Sequence, residues 1–162
     1  MISRRNRGDN LKLSTKGRYG LRAFIDIAIF GNEEPVPLTN VAKRQDISIS
    51  YLEQLMAKLK KAGLIVSVRG TNGGYEIAKD KGRISVGDVL RALEGDLAPV
   101  NCAAAHEGGQ ICSASGDCLS KIVWIKINNS INETVDSIYI DELVKDSDYN
   151  NKNKEVIIKC KM

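Results

Sequence analysis

Residues 48–77, SISYLEQLMAKLKKAGLIVSVRGTNGGYEI, carry the strongest structural signals in the chain. Ser50-Tyr51-Leu52-Glu53 has the S-x-x-E pattern of a capping box, in which the serine and glutamate side chains satisfy free amides at a helix N-terminus. Four apolar residues follow at helical spacing and predict one buried face: Leu52, Leu55, Met56 and Leu59. Glycine favours the left-handed conformation that closes many helices, so the helix is expected to end at Gly63.

A β-hairpin is predicted directly after this helix. Ile65–Val68 is rich in residues that favour strands, and Tyr75–Ile77 alternates in the manner of a returning strand. The turn between them, Arg69–Gly74, contains three glycines. The pattern therefore indicates a glycine-tipped antiparallel hairpin beside the capped helix.

Two more helices are predicted upstream. Apolar residues recur at helical spacing over Thr15–Phe30, with Gly31 as the expected stop. Pro35 and Pro37 mark a connection, and Thr39–Gln45 follows as a short helix. Helix, helix, capped helix and hairpin is the order of a winged helix-turn-helix, in which the third helix enters the DNA major groove. The predicted fold class is mainly α with a small β-hairpin wing.

The second half is predicted to contain a capped helix, a loop and a long helix. Ser85-Val86-Gly87-Asp88 is a second capping box and opens a helix through Leu93. Residues 95–117 contain many glycines and prolines and are predicted to form a loop. A helix from Leu119 to about Ile138 carries an apolar seam made of Trp124, Ile127, Ile131, Val135 and Ile138. This narrow seam is typical of a coiled coil and is interpreted as a dimerisation surface. The alternative is that the helix packs back onto its own domain.

These patterns divide the chain into five segments. The expected boundaries are a flexible leader at 1–10, a winged helix-turn-helix domain at 11–94, a cysteine-bearing loop at 95–118, a dimerisation helix region at 119–145 and a flexible polar tail at 146–162.

The charge distribution favours a polyanionic partner. The 162 residues carry a net charge of +4, but residues 1–83 contain 16 Lys+Arg and 8 Asp+Glu, whereas residues 84–162 contain 8 and 12. A chance fluctuation or a solvated face is the alternative explanation. The apolar stretch Ala23–Phe30 is too short to span a membrane, and residues 1–10 are polar and basic rather than typical of a signal peptide. A cytoplasmic protein without membrane contact is expected.

The predicted third helix presents side chains suited to reading DNA. The candidates near its start are Ser48, Ser50, Tyr51, Glu53 and Gln54. Serine and tyrosine hydroxyls can bind phosphates, glutamine can pair with adenine, and glutamate can accept a hydrogen bond from cytosine. Glu53 is a candidate discriminator between sequences, although the capping box would compete for the same side chain.

The hairpin turn offers a second candidate contact with DNA. Arg69 can enter a narrow minor groove. Glycines allow the backbone to approach a phosphate closely, and the candidates are Gly70, Gly73 and Gly74.

Three of the four cysteines cluster ahead of the long helix. Cys102, Cys112 and Cys118 have C-x9-C-x5-C spacing, whereas Cys160 lies in the tail and is expected to be a bystander. Thiolates hold iron–sulfur clusters, and a loop would let three sulfurs converge. Zinc is the main competing ligand, and free structural cysteines are the remaining alternative.

Four motifs resemble the IscR/CymR/NsrR-type family of bacterial transcription regulators. They are residues 13–20 (LSTKGRYG), 48–55 (SISYLEQL), 68–75 (VRGTNGGY) and 84–90 (ISVGDVL). The likeness extends from about Leu11 to Val144. It implies a homodimer with crossed long helices on a roughly palindromic operator. It also implies DNA contacts from Ser50, Tyr51, Glu53, Gln54 and Arg69, with Glu53 tuning the operator class.

The resemblance also implies an iron–sulfur cluster, because cluster-binding members have three cysteines ahead of the long helix. A 2Fe–2S cluster is favoured over 4Fe–4S, and cluster donor proteins become expected partners. Two features depart from IscR-like proteins: the first cysteine gap is longer, and Lys121 stands where they carry histidine. Arg18 occupies the position of the acidic ligand in NsrR-like proteins, so the fourth ligand stays open. The chain's candidates are His106, the only histidine, and Glu107 or Asp117, with water or another thiol as alternatives.

Two regulatory functions compete at this point. The first is a regulator, such as a repressor, of cluster biogenesis genes that responds to its own iron–sulfur cluster. The second is a cluster-free, CymR-like regulator of cysteine metabolism that acts with a partner protein, which the CymR-like stretch at residues 92–100 favours. No nucleophile–base pair and no phosphate-binding loop is recognisable, so an enzyme is not expected.

Overall fold

A computed structural model describes residues 14–31, 34–100, 103 and 118–151, with side chains up to residue 146. Its helices are α1 (Thr15–Phe30), α2 (Leu38–Gln45), α3 (Ile49–Lys61), α4 (Val86–Glu94), α5 (Leu119–Ser137) and α6 (Ile140–Asn151), with a 3-10 turn at Lys81–Arg83. Two antiparallel strands, β1 (Ile65–Val68) and β2 (Gly74–Ile77), form the hairpin. The predicted mainly α fold with a small hairpin is confirmed. No helix within the described ranges is long and apolar enough to cross a membrane.

The start of α3 differs from the predicted capping box. Ser48, not Ser50, is the N-cap, and its hydroxyl accepts a hydrogen bond from the Tyr51 amide at 3.4 Å. An N-cap needs an extended backbone, and Ser48 has it (φ −62°, ψ 142°), whereas Ser50 already lies within the first helical turn. The left-handed Asp46 (φ 55°) between α2 and α3 turns the chain so that the helix begins at Ile49. The predicted end is confirmed, because Gly63 follows the helix with φ 68°.

The hairpin lies against the connection between α1 and α2. Ile65 pairs with Ile77, and Val68 pairs with Gly74. Val36 extends the small sheet, because its amide donates to the Tyr75 carbonyl and its carbonyl accepts from the Tyr75 amide, both at 2.9 Å. A Cβ on Gly74 would overlap the Val36 carbonyl, so this glycine permits the close approach of the two segments.

The hydrophobic core lies between α1, α3 and α4. The predicted apolar face of α3 is confirmed: Leu52, Leu55, Met56 and Leu59 are all at most 1% exposed. These residues share one core with Phe24 and Ile27 of α1 and with Leu90 and Leu93 of α4. Ser85 forms the predicted capping box with Asp88 at the start of α4. The core thus fixes α3 by one face and leaves its opposite face to solvent.

Helix α5 packs against α4 along its C-terminal half. Val135 and Ile138, from the predicted seam, pack against the core. The Ile138 carbonyl accepts from the Val86 amide at 2.8 Å, which joins the end of α5 to the start of α4. The alternative that this helix packs on its own domain therefore holds for its last turns. Large apolar side chains nearer the N-terminus stay exposed: Leu119, Ile122, Val123 and Ile125.

Helix α6 is a feature that the sequence analysis did not predict. It begins at Ile140, which is fully buried, and its Val144 is also buried. Its backbone continues to Asn151, into the segment expected to be a polar tail. The Ile140 amide bonds the Ile84 carbonyl at 3.0 Å, so the chain crosses back over the start of α4 before α6 packs near α1.

Candidate DNA-binding surface and cysteine segment

The first two turns of α3 form an exposed polar face. Ser48, Ser50, Glu53 and Gln54 are all exposed, while Leu52 between them is buried. Since Ser48 caps the helix, Glu53 is not needed for capping, and the competition suggested by the sequence does not arise. Glu53 and Gln54 are consecutive exposed residues of this helix, and their carboxylate and amide groups could accept from and donate to base edges.

Tyr51 differs from the other candidates because it is half-buried. Its ring meets the ring of Tyr19 on α1 edge-on, with centroids 6.1 Å apart and planes at 86°. This edge-to-face arrangement is the favourable geometry for two aromatic rings. The contact holds Tyr51 against α1 and thereby supports the first turn of α3.

The hairpin that follows α3 carries Arg69 and three glycines around its tip. Arg69 and Gly70 are exposed, and Gly70 has φ +129°, a backbone conformation that suits glycine. The Gly73 amide bonds the Gly70 carbonyl at 3.0 Å, and a Cβ on Gly73 would lie 2.6 Å from the Val68 carbonyl. These glycines are therefore explained by the turn itself, whatever contact they make with DNA.

A lysine connects the hairpin to α3. The Lys60 Nζ donates to the Ser67 hydroxyl at 2.6 Å, which joins β1 to the last turn of α3. Lys60 was not singled out by the sequence analysis, because a contact between a helix and a later strand leaves no local pattern. Further basic side chains are exposed on this domain, namely Lys43, Lys61, Lys79 and Arg83. Part of the excess positive charge of the first half is thus exposed to solvent, on α2, at the end of α3 and after the hairpin.

Of the candidate metal ligands, only Cys118 lies within the described residues. Cys102, Cys112, His106, Glu107, Asp117 and the tail cysteine Cys160 fall outside them. Cys118 is the N-cap of α5. A hydrogen bond from the Ser120 hydroxyl, aided by the Lys121 amide, lowers the pKa of the Cys118 thiol below its ordinary value. A thiol that ionises more readily is a better nucleophile and metal ligand. The residues that are described hold no group of three or more metal-ligating side chains.

Asn128 of α5 connects this helix to Ala103, which belongs to the segment of residues 95–118 that carries the three clustered cysteines (the cysteine segment). It is buried, and its Nδ2 donates to the carbonyl of Ala103, the neighbour of Cys102, at 3.1 Å. The same asparagine accepts from Asn132, which in turn accepts from the Arg91 guanidinium of α4 at 3.1 Å. A polar chain therefore runs from the cysteine segment through α5 to α4.

Comparison with known proteins identifies the family. Residues 13–146 match the model of the Rrf2 family, described as "Iron-dependent Transcriptional regulator". The HTH-type transcriptional regulator IscR of Vibrio campbellii is 38% identical over 138 residues, covering 85% of this chain and 80% of that protein. The structure resembles T. potens IscR (TM-score 0.70, 38% identity, 91% of this chain and 96% of that one). It also resembles CymR, the global cysteine regulator of B. subtilis (TM-score 0.66, 36% identity, 83% and 96%). The chain belongs to the Rrf2 family and is a transcription regulator rather than an enzyme.

Proposed function

We propose that this protein is a homodimeric, operator-binding regulator of iron–sulfur cluster biogenesis genes, and that a cluster on Cys102, Cys112 and Cys118 sets its affinity for DNA. The observation that carries the proposal is the exposed polar face of α3, which includes Glu53 and Gln54, together with the following hairpin, which exposes Arg69. Such a helix fits the major groove while the hairpin reaches the adjacent backbone or minor groove.

The homodimer is supported by the N-terminal half of α5. Leu119, Ile122 and Val123 are 82%, 55% and 54% exposed, respectively. Contiguous apolar side chains on one exposed helix mark an interaction surface. A second copy of the same helix, as the family implies, would cover them and place two α3 helices on the two halves of a palindromic operator.

The cluster is supported by Cys118 and its surroundings. The lowered pKa of its thiol favours the thiolate, which is the form that binds iron. Its place at the first turn of α5 puts a metal-binding residue directly beside the apolar face of Leu119 and Ile122. Cluster loading would therefore act close to the proposed dimer contact. The fourth ligand, with His106 as a candidate, and the preference for 2Fe–2S over 4Fe–4S belong to this proposal.

Purification without oxygen tests the cluster directly. The visible absorption spectrum, with iron and sulfide assays, is compared for the wild type, Cys112→Ala and the matched control Cys160→Ala. We expect charge-transfer bands in the wild type and in Cys160→Ala, with loss of the bands in Cys112→Ala. DNA affinity is then measured for loaded and cluster-free protein, and equal affinities for every operator would contradict regulation by the cluster.

A second function keeps the DNA binding but drops the cluster. Lys121 replaces the histidine expected of IscR-like proteins, and the structure also resembles a CymR regulator. Lysine is protonated at neutral pH and is a poor iron ligand. A protein that stays colourless after attempted reconstitution would favour a regulator of cysteine metabolism that acts with a partner protein.

A further inference from the structure

A buried polar network lies beneath the turn that joins α2 to α3. Its centre is Asp26 of α1, which is 0% exposed. The Asp26 carboxylate accepts from the Arg44 Nε at 3.0 Å and from the Gln45 Nε2 at 2.7 Å. Gln45 is itself 1% exposed, so its amide must be satisfied inside the protein.

The other end of the Gln45 side chain is held by Arg22. The Arg22 Nε donates to the Gln45 Oε1 at 3.2 Å, and its Nη2 donates to the Gln45 backbone carbonyl at 2.7 Å. A carboxylate can only accept hydrogen bonds, and a guanidinium can only donate them. The amide of Gln45 between Asp26 and Arg22 therefore has a single orientation, with its nitrogen toward the carboxylate.

Gln45 lies at the point where the helix-turn-helix changes direction. It is the last residue of α2, and the left-handed Asp46 follows it directly. The Arg22 guanidinium thus caps the C-terminus of α2, where positive charge also complements the helix dipole. This contact fixes one end of the turn.

Arg22 also supports the other end of the turn. Its guanidinium lies 5.5 Å from the centre of the Tyr19 ring, and Tyr19 is the edge-to-face partner of Tyr51 in the first turn of α3. One side chain of α1 thus bonds the end of α2 directly and supports the start of α3 through a single intermediate ring.

We propose that Arg22 is a positioning residue that fixes the angle of the recognition helix, rather than a ligand for the DNA backbone. The inference rests on the DNA-binding function proposed above. A basic residue on a DNA-binding domain would ordinarily be assigned to phosphate, but the fork of Arg22 is directed at Gln45. Only arginine can supply both of these hydrogen bonds and the ring contact from one planar group.

The test separates positioning from phosphate binding by specificity and salt dependence. The probes are a duplex that the wild-type protein selects from a random pool and a scrambled duplex of the same composition. The variants are Arg22→Met and Arg22→Lys, with Arg69→Met as the charge-removal control, and thermal melting verifies that each one is folded. Affinity for both duplexes is measured across a range of salt concentrations.

A positioning role predicts that both Arg22 variants lose specificity. Their preference for the selected duplex should fall about tenfold, the loss expected when on the order of one base contact is misplaced. The slope of log affinity against log salt should stay that of the wild type, whereas Arg69→Met should reduce it by about 1.8, as for one lost phosphate contact in each of the two protomers. Arg22→Lys keeps the charge without the fork, so it should not rescue Arg22→Met.

The opposite result identifies a phosphate ligand. If Arg22→Met lowers affinity for both duplexes equally and reduces the salt slope, and Arg22→Lys restores both, then the proposed positioning role is wrong. An unchanged preference in both variants would overturn it as well. If the wild type enriches no duplex, the proposed DNA-binding function and this inference are both wrong. If the wild type does enrich a duplex, DNA binding stands, and the Arg22 variants test the positioning role alone.

Discussion

The carboxylate of Glu94 accepts a hydrogen bond from the backbone amide of Gly17 at 2.8 Å, although the two residues are 77 positions apart. The same oxygen accepts from the Ser14 amide at 3.1 Å and from the Ser14 hydroxyl. The last residue of α4 thus satisfies free amides at the first turn of α1, where negative charge is favoured by the helix dipole. The start of the domain is joined to the point where the cysteine segment begins.

We expect Glu94→Ala to lower the free energy of unfolding by about 1–2 kcal/mol, because amides at the start of α1 lose their acceptor. Glu94→Gln keeps an acceptor and should cost less. Urea unfolding measures both variants, with Glu133→Gln on the exposed surface of α5 as the control. A Glu94→Ala protein as stable as the control would mean that water replaces the carboxylate at no cost.

Gly74→Ala should loosen the hairpin from the core. The new Cβ would overlap the Val36 carbonyl, and the sheet cannot absorb this by moving a flexible side chain. Forcing a methyl group into a packed contact costs about 1–3 kcal/mol. Hydrogen exchange at the amides of Val36 and Tyr75 should become faster, whereas Thr71→Ala at the exposed tip should leave it unchanged. Unchanged exchange in Gly74→Ala would show that the strand can shift freely.

Cys118 should react faster with iodoacetamide at neutral pH than an ordinary cysteine in the cluster-free protein. The hydrogen bond with Ser120 lowers the pKa of its thiol, so the thiolate forms at lower pH and the rate rises earlier as pH increases. The measurement uses protein with Cys102, Cys112 and Cys160 replaced by serine, so that mass spectrometry follows Cys118 alone. Ser120→Ala should move the midpoint of the rate profile to higher pH, and an unmoved midpoint would contradict the assigned cause.

Ile122→Lys should dissociate the proposed dimer. A lysine at this position would bring an unpaired charge into the apolar contact, and a cost on the order of 3 kcal/mol would raise the dimer Kd about a hundredfold. Light scattering after size-exclusion chromatography measures the mass across a dilution series. Thr134→Lys, exposed and polar on the same helix, serves as the control. A wild type that is monomeric at all concentrations, or an Ile122→Lys protein that stays dimeric, would exclude this interface.

The helices with a continuous apolar face were predictable from the sequence. Thr15–Phe30 has the predicted bounds, because its periodic residues end at a glycine. The start of α3 was placed two residues late, since both Ser48 and Ser50 can cap a helix and only the turn at Asp46 decides between them. Helix α6 was missed because its burial depends on α1 and on the crossing at Ile84, neither of which its own polar sequence reveals.

The candidate site was predictable in part for a similar physical reason. Exposure of Glu53 and Gln54 follows from the apolar period of α3, so the sequence locates them on the outer face. The network of Arg22, Asp26 and Gln45 was not predictable, because Gln45 lies 23 positions from Arg22 and 19 from Asp26 and each residue looks like an ordinary surface residue in sequence. Long-range polar pairing leaves no period for a sequence to display.

Helix α5 is joined to α4 near its C-terminal end. The Val86 amide of α4 bonds the carbonyl of Ile138, directly after α5, and the Arg91 guanidinium bonds Asn132 within the last two turns of α5. Cys118 and Leu119 mark the opposite end. With 19 residues the helix is about 28 Å long at about 1.5 Å per residue. Over this length, a tilt of a few degrees at the C-terminal end of the helix moves its N-terminal end by a few ångströms. Ligand binding near Cys118, as proposed above, would thereby be coupled to the C-terminal end of α5. There α5 contacts α4, which in turn contacts α3 and α1.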